Sequence, residues 1–281
     1  MTVQRRLIRL GHSPDPDDAF MFYPLATGLI DTGPFEFEHV LQDIQTLNEW
    51  AMTGRLEVTA ISIHAYPHVR HRYRLLSSGA SMGDGYGPLL VARRPLEPQD
   101  LRGQTIAVPG ELTTAFLALN LCMGRGTFHH RVVPFDRILS EVAEGKADAG
   151  LIIHEGQLTY GRFDLHCVVD LGVWWQETTG LPLPLGGNAV RRDVGEAAGR
   201  QIGRIVKQSI RMALERRDEA IRYALQFGRD LNTHLTDQFV GMYVNDWTLD
   251  YGPEGRRAVT ELLRRGHLAG VCPDPGDIDF L

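Results

Sequence analysis

Apolar runs of strand length stop abruptly at polar clusters four times along this chain. Residues 8–11 give way to Ser13-Pro14-Asp15-Pro16-Asp17-Asp18, and residues 58–63 close on Ser62-Ile63-His64. Residues 105–108 lead into Pro109-Gly110-Glu111-Leu112-Thr113-Thr114-Ala115, and residues 150–153 end at His154-Glu155-Gly156. Continuous apolar runs of this kind read as strands buried on both faces, as in parallel sheets. Open α/β sheets bind ligands beyond the carboxyl ends of such strands, where all four polar clusters fall.

Helical patterns follow the strands. Residues 19–27 read as a helix with Asp17 or Asp18 as caps and Gly28 as its end, and residues 43–53 place Ile44, Leu47, Trp50 and Ala51 on one face. Further helices are predicted at 65–70, from the Thr113-Thr114 pair through 121, and at 138–144. Strands are predicted at 35–40, where apolar and polar residues alternate, and at 89–93, 131–134, 147–153, 167–171 and 188–192. From Asp193 onward the pattern is helical, most clearly at 202–215, 217–228 and 238–243. Pro95 and Pro98 mark a linker at 94–101, and the chain crosses back near 188. The layout predicts an α/β protein with a two-lobed clamshell of the type II periplasmic-binding-protein kind: residues 1–94 plus 190–281 form a larger lobe with a helical tail, 95–189 a smaller one. The ligand cleft is expected between them.

Composition narrows the chemistry. The 281 residues are 43% hydrophobic and carry a net charge of −6 without a basic cluster, which argues against nucleic acid as a partner. No apolar run is long enough to span a membrane, and Met1-Thr2-Val3-Gln4-Arg5-Arg6 leads into residues 7–10 without an export signal, so a cytoplasmic location is expected. Cys122, Cys167 and Cys272 are scattered and predict neither a disulfide framework nor a metal site. Only Lys146 and Lys207 could form a Schiff base, which leaves pyridoxal chemistry almost without a candidate. The cluster Ser81-Met82-Gly83-Asp84-Gly85-Tyr86-Gly87-Pro88 would let backbone amides approach a ligand, but its spacing is no phosphate-loop or dinucleotide fingerprint. No cofactor is therefore expected, and a homodimer follows from the frequency of dimers among cytosolic enzymes.

Each candidate residue has a structural alternative. His154 could deliver an imidazole into the cleft, or merely close its strand by bonding a neighbouring loop. Asp17 and Asp18 read as helix caps, whereas Asp15, fixed between two prolines, reads as a site residue. Ser62 either binds a ligand oxygen or caps a helix. One of Thr113 and Thr114 suffices as a cap, leaving the other with the unpaired amides of that helix start for an anionic group. Trp174 and Trp175 read as packing rather than as a stacking platform.

Several ordered blocks resemble a known family. They are Ser13-Pro14 with Pro16 and Asp18, Val40-Leu41-Gln42-Asp43 with Thr46-Leu47-Asn48, Gly87-Pro88-Leu89, Val108-Pro109-Gly110 with Thr113-Thr114-Ala115, Ile152-Ile153-His154-Glu155 with Thr159-Tyr160, and Trp174-Trp175 through the Leu-Pro-Leu-Pro-Leu-Gly run ending at Gly186. The chain resembles the menaquinone-biosynthesis family of the futalosine pathway, on its 1,4-dihydroxy-6-naphthoate synthase branch. The resemblance implies a cofactor-independent lyase that converts cyclic dehypoxanthine futalosine into 1,4-dihydroxy-6-naphthoate and releases a small dihydroxyacetone fragment. It further implies His154 as proton acceptor, with Ala60, Ile61 and Ser62 and the Thr114-Ala115 pair holding substrate. Ser13, Asp15, Asp84 and Thr113 complete the expected substrate-binding set. Departures from the family pattern fall at Asp15, Asp17, Ala19, Ala60, Gly83-Asp84-Gly85 and Gly156-Gln157-Leu158, where basic positions are lost and acids gained. Three readings follow: the synthase itself, a sister lyase on a less anionic substrate, and a non-catalytic cytoplasmic binding protein of the same fold.

Overall fold

A computed structural model of the protein describes residues 5–228 and 231–281. Residues 1–4, on which part of the expectation about an export signal rests, lie outside them. The chain begins with β1 (Arg6–His12), α1 (Pro16–Ala26), β2 (Phe35–Leu41), α2 (Ile44–Thr53) and β3 (Val58–Ser62). β1 pairs in parallel with both β2 and β3, the helices α1 and α2 forming the crossover connections. Pro16 stands in the first turn of α1, where its missing N–H costs nothing, and the Asp43 side chain caps α2 by accepting from Thr46 N–H at 3.0 Å.

Short elements follow: α3 (Tyr66–Val69), β4 (Tyr73–Leu75) and β5 (Ser81–Gly83). The second sheet is built from β6 (Leu89–Ala92), β7 (Thr105–Val108), α4 (Thr114–Met123), β8 (His129–Val132), α5 (Ile138–Ala143), β9 (Ala149–Ile152) and β10 (His166–Asp170). Its strand order is β10-β6-β9-β7-β8. β6, expected on the near side of a linker at 94–101, is thus a central strand of the second sheet, antiparallel to β9. Its four residues are all buried, which requires neighbours on both sides.

α6 (Leu171–Thr179) leads into β11 (Leu183–Arg191), which returns through the first sheet between β3 and β4 and also carries β5. The sequence pattern showed only the second half of β11, because Pro184 and the glycines at 186 and 187 mask a strand that bulges between Pro184 and Gly186. Asp170 caps α6 through Gly172 and Val173 N–H, and Trp175 is fully buried, as the packing reading of the tryptophan pair expects. The tail is helical as expected: α7 (Glu196–Glu215), α8 (Arg217–Ala224), α9 (Thr233–Tyr243), α10 (Asp246–Leu249) and α11 (Gly252–Leu268). α1 packs on α7 and α8 through Phe20 and Phe22 beside Ile202, Val206 and Ile210. Among the described residues no helix is long and apolar enough to cross a membrane.

The edge of the first sheet opposite the strand carboxyl ends is clipped by one carboxylate. Glu57 accepts from Arg9 Nε at 2.9 Å and a guanidinium nitrogen at 2.7 Å, and lies 3.1 Å from the Arg191 guanidinium, so it ties β1, β3 and β11 together. Although burial opposes ionisation, these bonds hold its carboxyl down at about 2. A depressed carboxyl stabilises the fold above its ordinary value of 4.5 and loses that contribution as pH falls towards 2. Glu57→Gln should cost about 1–2 kcal/mol at pH 7, discounted for the exposure of Arg9. Denaturant titrations should show the gap closing between pH 4.5 and 2; a pH-independent difference would contradict the electrostatic clip.

Candidate functional site

A cavity of about 130 Å³ lies between the two sheets at the carboxyl ends of their strands. The first sheet contributes Ser13, Asp15, Asp17 and Asp18 after β1, Ala60, Ile61 and Ser62 of β3, and Leu185, Gly186, Gly187 and Asn188 of β11. Thr113, Thr114 and Ala115 at the start of α4 and Ile153 after β9 come from the second, and Tyr243 from the end of α9. Of the ten residues expected at the site, eight line this cavity; His154 and Asp84 do not.

The start of α4 is fixed from three directions. Thr113 is the cap, its hydroxyl accepting from Phe116 N–H at 3.2 Å and donating to Gly110 O at 2.8 Å. Thr114 Oγ1 donates to Leu185 O of β11 at 2.5 Å and accepts from His64 N–H at 3.1 Å. His64 Nδ1 also donates to Thr113 O at 3.2 Å, and burial pushes this imidazole down to about 4, so it is neutral. Among the described residues the amides of Thr114 and Ala115 have no acceptor, which leaves two N–H groups of a ten-residue helix at the cavity.

Ser62 is held by a residue that sequence reasoning missed. Fully buried Asn48 donates to Ser62 Oγ at 2.9 Å and accepts from Ser62 N–H at 2.8 Å, so the serine hydroxyl keeps its proton for another partner. The opposite wall is acidic. Asp18 Oδ2 accepts from Ser13 N–H at 2.7 Å, yet burial still lifts its carboxyl to about 6. Burial, then the charges of Asp18 and Asp15, hold the Asp17 carboxyl well above its usual range. Asp17 and Asp18, expected as caps, are not: α1 starts at Pro16 with Asp15 at the N-cap position, and both carboxyls lie in the first turn, facing the cavity. Asn188 and Tyr243 were not anticipated, since nothing local in the sequence marks them.

His154 sits just outside. Its Nδ1 accepts from Gly156 N–H at 2.9 Å, which assigns the proton to Nε2, and Nε2 donates to Phe135 O at 3.0 Å. Gly156 makes this seat possible, because a Cβ there would lie 2.6 Å from His154 Cε1 and 2.9 Å from Leu139 Cδ1. Asp84 faces outward, accepting from Gln176 Nε2 at 3.0 Å and, at 3.4 Å, from the Trp247 indole N–H. The glycines around it serve close backbone packing: a Cβ on Gly83 would stand 2.1 Å from Tyr86 O, and one on Gly172 1.9 Å from the same oxygen. Among the described residues no group of three or more His, Cys, Asp or Glu side chains is placed to hold a metal ion.

Raised carboxyls have a stability consequence. In the folded state Asp17 and Asp18 bind protons that the unfolded chain releases above 3.8, so stability falls as pH climbs through their raised values. Asp17→Asn should therefore raise Tm at pH 8 by about 2–4 °C, with a smaller gain at pH 4. Thermal melts that show no gain, or a loss at pH 8, would contradict the burial of an uncompensated acid.

Comparisons with known proteins agree with this architecture. The menaquinone biosynthesis family model matches residues 8–268. A 1,4-dihydroxy-6-naphtoate synthase of Thermus thermophilus is 46% identical over 95% of this chain and 97% of that protein, and one of Streptomyces coelicolor is 36% identical over 96% of each. A solved structure from Archaeoglobus fulgidus superposes with a TM-score of 0.90 at 46% identity, covering 94% of this chain and 98% of that one. The alkanesulfonate-binding protein of Xanthomonas axonopodis superposes at 0.72 with 12% identity, covering 97% and 96%, which shows the periplasmic-binding-protein fold alone. With the family model and both relatives spanning nearly its whole length, the chain belongs to the menaquinone biosynthesis family.

Proposed function

We propose that this protein is a cytoplasmic lyase that converts cyclic dehypoxanthine futalosine into 1,4-dihydroxy-6-naphthoate, with a small molecule as its substrate and a homodimer as its working form. One observation carries the reading: the free amides of Thr114 and Ala115 open into a cavity between two lobes, in a chain whose relatives are named as that synthase. Two backbone N–H groups at a helix start suit the carboxylate of a naphthoate and any oxyanion that develops beside it. The Ser62 hydroxyl supplies a further donor on the facing wall.

His154 is the proton acceptor in this reading. Its lone pair is occupied by Gly156 N–H, so it acts only after the ring turns out of its seat, a turn that substrate binding supplies. The cavity supports such a rearrangement, since about 130 Å³ is smaller than the roughly 300–1,000 Å³ of ordinary ligand pockets and the lobes must part to admit a substrate of this size. Glu155 Oε2, 3.6 Å from His154 Nδ1, would stabilise the imidazolium once formed.

A sister lyase is the second reading, favoured by one observation: the described residues of the lining include three aspartates and no lysine, arginine or histidine. Mixing the protein with cyclic dehypoxanthine futalosine and following 1,4-dihydroxy-6-naphthoate by mass spectrometry separates the two. The synthase reading expects product; none from folded protein would favour a different substrate. His154→Asn keeps an acceptor for Gly156 N–H and should lower turnover about 10²–10⁴-fold while leaving the melting curve in place. Unchanged turnover would remove His154 from the mechanism.

A further inference from the structure

The acidic residues of the first turn of α1 do not cap the helix. Asp17 and Asp18 line the cavity together, and the described residues of its lining include no lysine, arginine or histidine. A second group on the same wall points to a ligand: Asn188, 1% exposed, donates its Nδ2 to Gly79 O at 3.2 Å but leaves Oδ1 without a partner. A buried acceptor left unpaired costs about 1–3 kcal/mol until a donor reaches it, and Asn188 shares the cavity lining with Ser62 and Ser81. Among the described residues the wall is thus rich in acceptors, whereas the α4 start offers amide donors.

We propose that this wall is a polyol subsite, in which Asp17 and the Asn188 carboxamide oxygen bind the hydroxyl groups of the substrate's sugar-derived portion while its carboxylate lies at the Thr114 and Ala115 amides. The assignment rests on the synthase reading. It fixes the direction in which the substrate lies: hydroxylated end towards β1 and α1, aromatic acid end towards α4. Burial shifts Asp17 towards its protonated form, in which a carboxyl both donates and accepts, as a hydroxyl does, and Asp15, Asp18 and Tyr243 are titratable groups that face it among the described residues.

Substrate and product distinguish the two ends, because 1,4-dihydroxy-6-naphthoate keeps the carboxylate and has lost the hydroxylated fragment. Asp17→Ala should raise KM for cyclic dehypoxanthine futalosine about ten- to a hundredfold, with the Kd for 1,4-dihydroxy-6-naphthoate, measured by calorimetry, unchanged. Asp17→Asn, which keeps a donor and an acceptor, should restore most of the affinity. Equal weakening of substrate and product, or an unaltered KM in Asp17→Ala, would overturn the subsite. Absence of both turnover and product binding in the unsubstituted protein would overturn the synthase reading and the subsite with it.

Discussion

The bonds that rivet the start of α4 to the first sheet are the constraint on which the site depends. Thr114 Oγ1 reaches across to Leu185 O, and the His64 amide and ring hold Thr114 and Thr113 from behind. A helix start is a useful anion site only if its amides are free and fixed. Here the side chains that would otherwise satisfy those amides are spent on inter-sheet bonds, with Thr113 capping only Phe116 N–H. β11 makes the arrangement possible by returning antiparallel to β3 with Gly186 opposite Ser62, which brings Leu185 within reach of Thr114.

The opposite wall departs from what stability alone would select. Buried carboxyls without a basic partner lower stability at neutral pH, and the fold carries Asp17 and Asp18 side by side at one helix start. Elsewhere the protein pairs its acids closely, as Glu57 with Arg9 and Arg191. The contrast separates a carboxylate that joins strands from carboxyls that face a cavity, and it is the second kind that clusters where ligands bind.

Much of the site was legible because strand ends are local. The apolar runs closing on Ser13, Ser62 and Thr113-Thr114 predicted which residues would converge, and the Thr pair announced a helix start. Asp17 and Asp18 were harder, because a cap and a cavity wall call for the same residue type at the same position. Asn48, Asn188 and Tyr243 reach the site only through tertiary packing, and a lone Asn or Tyr carries no spacing signal. Asp84 misled because a glycine cluster signals close approach without saying what approaches; here it is the backbone at Tyr86 and Gly172. The second sheet's first strand and β11 were displaced or shortened in the reading for a related reason. Prolines mark turns in most contexts, but Pro184 lies within a strand, at a bulge.

The central claim is that a substrate lies across the cavity with its acid end on α4. The most direct measurement is a crystal structure of the protein with 1,4-dihydroxy-6-naphthoate. The account predicts the product carboxylate within hydrogen-bond distance of the Thr114 and Ala115 amides, its ring between Ile153 and Leu185, and open space left beside Asp17. A carboxylate placed against any other group, or a product bound outside this cavity, would contradict it.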